Sequence, residues 1–234
     1  MSGALDTTGQ LGALHAEIHA CRHCELAGYL THAQPISGRQ SPPDARLMII
    51  GQAPGRLTVE RDLMFGGPSG ATLERWLQRA GFAPGALRRE VYLTALTRCD
   101  PGRSVTGSGD RKPSPAEVAL CRPYLERELA LIRPRAILLV GGMAISAFLG
   151  SARLDAVIGA TFERDGRTLI PLPHPSGVSR WMNHSTHQTL VEQALARLGE
   201  LRAGWEAEAA GDSHNLLLSL SADKTTLRES TSDE

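Results

Sequence analysis

The stretch Arg46-Leu-Met-Ile-Ile-Gly-Gln-Ala-Pro-Gly55 shows how this 234-residue chain builds its fold. Its first half is a short apolar run in which polar and apolar residues do not alternate. Such a run is typical of a parallel β-strand that is buried on both faces. Its second half is a turn containing glycine and proline. Because ligands bind at the carboxyl ends of the strands in parallel sheets, this turn is the first place to look for functional residues.

Three further apolar runs resemble the first one, and helical patterns separate them. The runs cover residues 91–97, 136–141 and 168–172. The helical patterns cover residues 9–20, 69–81, 115–132, 142–150 and 185–203. Strands that alternate with helices form a parallel sheet with helices packed on both faces. The sequence therefore predicts an α/β fold, namely a three-layer α/β/α sandwich around a central four-stranded parallel sheet.

The composition predicts a cytoplasmic protein that does not contact membranes. No apolar run approaches the roughly 20 residues that a membrane-spanning helix needs, and the N-terminal stretch lacks the pattern of a secretory signal. The net charge is zero, but residues 206–234 hold seven acidic and two basic residues, which leaves +5 on residues 1–205. We expect one monomeric domain over 1–205, with a weakly cationic body compatible with DNA, and an acidic disordered tail over 206–234.

The chain has only four cysteines: Cys21, Cys24, Cys99 and Cys121. Structural disulfides are rare in cytoplasmic proteins. A pair separated by two residues, followed by two distant cysteines, is a usual way to bring four thiolates to one metal centre. The spacing alone leaves a zinc ion and an iron–sulfur cluster equally open, because thiolates bind both.

Four segments resemble, in the correct order, the motifs of the uracil-DNA glycosylase superfamily. They are Gly51–Gly70, Val91–Cys99, Pro113–Leu125 and His174–Ser176. The similarity is greatest to the iron–sulfur branch called family 4, and with the first two cysteines it spans about residues 12–200. It implies an enzyme that flips a base out of DNA and hydrolyses its N-glycosidic bond. It also implies that the four cysteines hold a [4Fe–4S] cluster.

The resemblance implies roles for residues that follow the strands. Phe65 matches the aromatic residue that stacks on the flipped base, and His174 matches the histidine that hydrogen-bonds the base carbonyl as the bond breaks. A donor aimed at that oxygen stabilises the base as it leaves as an anion. We expect the catalytic residues to be His174, Gln52 and Glu60. The base-binding candidates are Phe65, Ala95, Gly51 and Ala53, and the DNA-binding candidates are Ser176, Gly177, Arg180 and Ser69.

One departure from the family pattern concerns the base. Ala95 stands where the family has the asparagine that reads the edge of uracil. An asparagine offers an acceptor and two donors to that edge, whereas alanine offers none and leaves space. We therefore expect a modified pyrimidine as the substrate, such as the glucosylated hydroxymethylcytosine of phage DNA. Its excision would block phage replication and would serve antiviral defence.

A second departure concerns the carboxylates. Gln52 replaces the glutamate of the first motif, and a neutral amide can hold a water molecule but cannot take its proton. Thr58-Val59 replaces a glutamate–aspartate pair. Glu60 and Asp62 lie close by in the sequence, so either one is a candidate for the missing carboxylate.

Three other readings stay open. The protein could be an ordinary uracil-DNA glycosylase in which another group reads the base, a binding module that recognises DNA without cutting it, or an electron-transfer protein. A branch of the superfamily that traps DNA covalently uses a histidine between the third and fourth cysteines, but residues 100–120 contain none. This region instead carries an apparent Gly/Ser-rich insertion, Ser104–Gly109, near the expected DNA face.

Overall fold

The computed structural model of the chain describes residues 6–104, 109–176 and 180–229, and the side chains of Arg180 and of residues 212–229 fall outside that description. The strands are β1 (Leu47–Gly51), β2 (Val91–Ala95), β3 (Ala136–Val140), β4 (Phe162–Arg164) and β5 (Arg167–Leu172). They form one sheet in the order β2-β1-β3-β5-β4. The predicted α/β fold is confirmed.

The predicted number of four strands is wrong by one. The four predicted strands pair in parallel, and β4 adds a fifth, antiparallel strand beside β5. The turn between β4 and β5 contains Asp165 and Gly166, which both have positive φ, 51° and 71°. An Asp-Gly pair with this geometry is the usual two-residue hairpin turn. This dipeptide was the sequence signal for the missing strand.

Helices cover both faces of the sheet. They are α1 (Thr7–Ala20), α2 (His23–Leu26), α3 (Arg56–Arg61), α4 (Pro68–Arg79), α5 (Ala86–Arg89), α6 (Pro115–Ile132), α7 (Gly142–Leu149), α8 (Leu154–Val157) and α9 (Ser185–Glu229), with a short 3-10 turn at Arg180–Asn183. None of the helices in the described part of the chain is both long and apolar enough to span a membrane.

Successive side chains of each strand point to opposite faces of the sheet, so the core consists of two clusters, one on each face. In β1, Leu47 and Ile49 belong to the cluster that contains residues of α4 and α9, whereas Met48 and Ile50 belong to the cluster that contains residues of α1 and α6. Every residue of β1 is buried. Successive side chains of a strand point to opposite faces of the sheet, so an uninterrupted apolar run is needed where both faces are covered.

The last helix differs from its prediction. The helix predicted for residues 185–203 begins at Ser185 and continues to Glu229. Its first half docks on the body: the Arg46 guanidinium donates to the carbonyl of Trp205 over 2.8 Å, and Arg135 pairs with Glu208. Residues beyond 203 are rich in alanine, glutamate and leucine, which are strong helix formers and favour the longer helix. The domain boundary at residue 205 and the monomeric state stay predictions.

A buried polar network joins α1, β2 and α6. Glu128 accepts hydrogen bonds from Tyr92 (3.1 Å), Thr94 (2.6 Å) and Arg98 (2.7 Å). His15 Nε2 lies 2.8 Å from the Tyr92 hydroxyl. Since the Tyr92 proton points to the carboxylate, the imidazole must donate to the phenolic oxygen. His15 therefore carries a proton on Nε2, and its lowered pKa keeps the ring neutral near pH 7 in the folded protein.

This neutral histidine makes the stability depend on pH. Burial, with the nearby positive charge of other basic groups, lowers the pKa of His15 to about 4 from its ordinary 6.5. The unfolded chain therefore takes up a proton below pH 6.5, whereas the folded chain does so only near pH 4. We expect the free energy of unfolding to fall by up to about 3 kcal/mol as the pH decreases between these values.

Urea unfolding at pH 7.5 and pH 4.5 measures this difference. In His15→Gln, the amide still donates to Tyr92 but does not titrate, so part of the pH dependence should disappear. His32→Gln, at an exposed histidine, should keep the pH dependence of the wild type. Equal pH dependence in all three proteins would contradict the assignment.

Candidate active site

The carboxyl ends of the four parallel strands meet at a cavity of about 380 Å³. The last residues of β1, β2 and β3 and the second residue after β5 contribute Gly51, Ala95, Val140 and His174. Seven of the predicted site residues line this one cavity: Gly51, Gln52, Ala53, Phe65, Ser69, Ala95 and His174. The structure therefore brings together residues that lie more than 120 positions apart in the sequence.

The backbone around Phe65 fixes its ring in the cavity wall. Phe65 has a φ of 53°, in the left-handed region that bulky residues rarely adopt. The Arg88 guanidinium donates to the carbonyls of Met64 (2.5 Å) and Phe65 (3.1 Å) and holds this conformation. A Cβ atom on Gly51 would lie 2.8 Å from the ring, and one on Gly70 would clash with the Phe65 carbonyl. Such strain is typical of a residue held for a function.

Ala95 forms part of the cavity wall beside the first residue of the first motif. It pairs in register with Gly51 and is 1% exposed. Its methyl group offers no hydrogen bond, and its carbonyl accepts one from the Arg98 side chain. At this position the cavity is therefore apolar and unable to read the edge of a base.

His174 presents a defined proton to the cavity. The backbone N–H of Ser176 lies 3.2 Å from His174 Nδ1, and the Ser176 hydroxyl lies 2.8 Å from the same atom. A backbone N–H can only donate, so Nδ1 accepts and the proton of the neutral ring sits on Nε2. Burial lowers the pKa of His174, and the carboxylate of Asp110 opposes this shift. Near neutral pH the residue is therefore a neutral Nε2–H donor.

Two of the carboxylates proposed from the sequence do not line the cavity. Glu60 lies on α3, where its carboxylate pairs over 2.5 Å with Arg56, one helical turn earlier. Asp62 ends the same helix and pairs with Arg39. The helical turn of α3 directs both side chains toward these arginines. Their closeness to Gln52 along the chain gave no sign of this direction. Gln52 itself lines the cavity.

The DNA-binding candidates divide into three groups. Ser69 lines the cavity in the first turn of α4, where the positive end of the helix dipole suits a phosphate. Ser176 bonds to His174 and so supports the histidine directly. Gly177 and the side chain of Arg180 lie outside the described residues. Trp181, a candidate to fill the gap left by a flipped base, packs against the core.

Sequence reasoning missed three charged residues at this cavity, Arg56, Arg103 and Asp110. Arg56 belongs to the first motif, and the other two flank the apparent insertion. The insertion was the available signal, because extra residues close to an expected binding face often contribute to it.

The four cysteines form a second cluster of functional groups. Cys24, Cys99 and Cys121 are buried, Cys21 is partly buried, and none of the four forms a disulfide. Burial, together with the negative charges of the other three cysteines, raises the pKa of Cys99 to about 12, which shows that the four are neighbours. In the described ranges, no three His, Cys, Asp or Glu side chains converge tightly enough to hold a single metal ion.

The donor chemistry of this cluster fits a metal centre. Four buried neighbouring thiolates would repel one another and are poorly solvated, so they need a cationic partner to ionise together. The ligands would come from the end of α1, from α2, from the residues after β2 and from α6. A group bound to all of them would tie the N-terminal helices to the sheet.

Comparisons with known proteins agree with this architecture. Residues 39–199 match the uracil DNA glycosylase superfamily. The chain is 36% identical over 172 residues to the type-4 uracil-DNA glycosylase of Archaeoglobus fulgidus, across 69% of this chain and 79% of the relative. It is 31% identical over 139 residues to the type-4 enzyme of Pyrobaculum aerophilum, across 59% and 64%, and 25% identical over 178 residues to that of Thermotoga maritima, across 75% and 86%. With the matched region spanning the sheet and the cavity, the chain belongs to the uracil DNA glycosylase superfamily.

Proposed function

We propose that the protein is a DNA glycosylase that flips a modified pyrimidine out of DNA and hydrolyses its N-glycosidic bond, leaving an abasic site. Membership of the superfamily supports the reaction, hydrolysis of an N-glycosyl bond in DNA. The identity of the base rests on one observation: Ala95 lines the cavity that also contains Phe65 and His174. The cavity thus keeps the aromatic residue that stacks on the base and the histidine that stabilises the departing base. It lacks the asparagine that reads uracil.

The cavity residues divide the work of the reaction. A base inside a duplex is out of reach of the enzyme, so it must leave the stack at a cost of a few kcal/mol. Stacking of the flipped base on the Phe65 ring offsets about 1–3 kcal/mol of this cost, and it does so for any base because every base has an aromatic face. As the C1′–N bond breaks, its electron pair leaves with the base, and the His174 Nε2–H donates to the base oxygen where negative charge develops.

The size and polarity of the cavity favour a substituted base. About 380 Å³ lies within the range of pockets that hold small organic ligands. The small side chain of Ala95 leaves room beside the base, and two basic residues, Arg56 and Arg103, line the same cavity. A hydroxylated substituent such as the glucose of glucosylated hydroxymethylcytosine could accept hydrogen bonds from them. Removal of such bases from phage DNA would make the protein a defence enzyme.

Mass spectrometry of released bases tests this proposal. The protein is incubated with duplexes that contain uracil, cytosine, hydroxymethylcytosine or glucosylated hydroxymethylcytosine. We expect the glucosylated base to be released faster than uracil. Release of uracil without release of any modified base would overturn the substrate assignment, and binding to all duplexes without any release would favour a DNA-binding module.

An ordinary uracil-DNA glycosylase is the second candidate. The observation in its favour is that the relatives named above are uracil-DNA glycosylases. In that case a group other than residue 95 reads the base. The two candidates differ in the release of uracil, which the same panel of duplexes measures.

We further propose that Cys21, Cys24, Cys99 and Cys121 hold a [4Fe–4S] cluster with a structural role. When bound, the cluster supplies positive charge that keeps the buried thiolates ionised and cross-links the chain. We expect iron and acid-labile sulfide in about equal amounts, and Cys99→Ser should lose both and melt at a lower temperature. One zinc ion per chain, without sulfide, would contradict the cluster. The cytoplasmic location stays a prediction.

A further inference from the structure

The described ends of the segment between the third and fourth cysteines, on either side of residues 105–108, pair with each other at the cavity like the ends of a hairpin. Arg103 and Asp110 form an antiparallel bridge, and the N–H of Arg111 donates to the carbonyl of Gly102 over 2.8 Å. These contacts close the described ends of the hairpin on either side of residues 105–108. They place Arg103 and Asp110 in the wall of the cavity that contains His174.

The base of this hairpin is fixed to α6. Arg111 donates two hydrogen bonds of 2.7 Å to the carboxylate of Glu117, which is 3% exposed. The same carboxylate accepts the backbone N–H of Ser114 over 2.7 Å, as part of the capping box that begins α6. Such a bidentate pair fixes direction as well as distance. Asp110, the residue before Arg111, therefore has a well-defined place at the cavity.

The carboxylate of Asp110 lies against the glycine turn that follows β1. Its Oδ2 is 2.9 Å from the point where a Cβ on Gly55 would stand, so a side chain at residue 55 would push the carboxylate aside. Among the described residues that line the cavity, Asp110 is the one with a carboxylate. Gln52, which replaces the glutamate of the family motif, lines the same cavity.

The charged groups around Asp110 come from three elements. Arg103 and Asp100 lie on its own segment, Arg56 begins α3, and His174 follows β5. Partial burial raises the pKa of Asp110, the Asp100 carboxylate raises it further, and the three basic groups oppose the shift. A raised pKa makes a carboxylate a better proton acceptor while it remains ionised near neutral pH.

We propose that Asp110 is the general base that activates the hydrolytic water, in place of the carboxylate missing from the first motif. The inference rests on the proposed glycosylase function. Gln52 holds the water, and the Asp110 carboxylate accepts its proton. The water oxygen bonds to C1′ as the C1′–N bond breaks, and the electron pair leaves with the base. The base then takes up a proton from solvent and Asp110 releases its proton to solvent, so the net result is the addition of one water molecule: hydroxyl to the sugar and hydrogen to the base.

Asp110→Asn tests this role with the full-length protein. General base catalysis typically contributes about 10²- to 10⁴-fold, so the single-turnover rate of base release should fall by about 100-fold or more. DNA affinity should stay within about three-fold of the wild type. The matched control is Asp100→Asn, since Asp100 bonds the Gly102 N–H on the same segment but does not line the cavity. This variant should keep its rate at pH 8 within about three-fold.

Chemical rescue separates catalysis from a structural role. In Asp110→Ala, added sodium formate should restore base release in proportion to its concentration, because formate can take the proton in the space that the side chain leaves. Wild-type rates in Asp110→Asn, or lost DNA binding without rescue by formate, would overturn the proposal. If the wild type releases no base from any duplex of the panel, the glycosylase function itself fails, and this role fails with it.

Discussion

Replacing Ala95 with asparagine is expected to raise the excision of uracil by about 10- to 100-fold and to abolish the excision of a bulky pyrimidine. A bidentate reader of a base edge contributes about 1–3 kcal/mol of discrimination. Residue 95 lies in the cavity wall with Phe65 and His174, so an amide there would meet the flipped base. The same amide would fill the space that the substituent needs. The measurement is kcat/KM on duplexes that contain uracil or the glucosylated base.

A matched variant separates size from polarity. Ala95→Val adds bulk without donors or acceptors, so it should lose activity on the bulky base and should not gain activity on uracil. If Ala95→Asn left uracil excision unchanged, another group would already read the base. That result would favour the ordinary uracil-DNA glycosylase over the enzyme for modified pyrimidines.

The strands of the central sheet were predictable because both of their faces are covered. In β1, Met48 and Ile50 pack under α1 and α6 while Leu47 and Ile49 pack under α4 and α9, which requires an apolar residue at every position. The edge strand β4 lacks this requirement. It has three residues and only one covered side, so it leaves no apolar run in the sequence.

Site residues at the ends of strands, or within two residues after them, were predictable because the topology brings the strand ends together. His174 and Ala95 follow this rule. The position of Asp110 depends instead on the Arg111–Glu117 pair and on the hairpin, which are tertiary contacts that no motif encodes. Arg88, which holds the carbonyl of Phe65 from 23 residues away, is a similar case. The closeness of Glu60 to the first motif suggested that it lies in the cavity. Its position on α3 instead directs its carboxylate toward Arg56.

His174→Ala is expected to reduce the single-turnover rate of base release by about 10²- to 10³-fold, with little change in DNA affinity. This is the usual effect of removing one donor that faces developing negative charge. The Nε2–H of the neutral ring meets the base oxygen only as the bond breaks, so the loss should fall on the rate and not on binding. Stopped reactions with the enzyme in excess over the duplex measure the rate, and fluorescence anisotropy measures the affinity.

Two further variants test how His174 acts. Ser176→Ala removes the hydroxyl beside Nδ1 but keeps the backbone N–H that sets the tautomer, so we expect a loss of less than about ten-fold. His174→Asn keeps a donor and should retain more activity than His174→Ala. If His174→Ala were as active as the wild type, the donor to the base oxygen would have to come from elsewhere in the cavity. Because the proposed base and donor serve the same transition state, the losses in Asp110→Asn and His174→Ala should combine to less than their product.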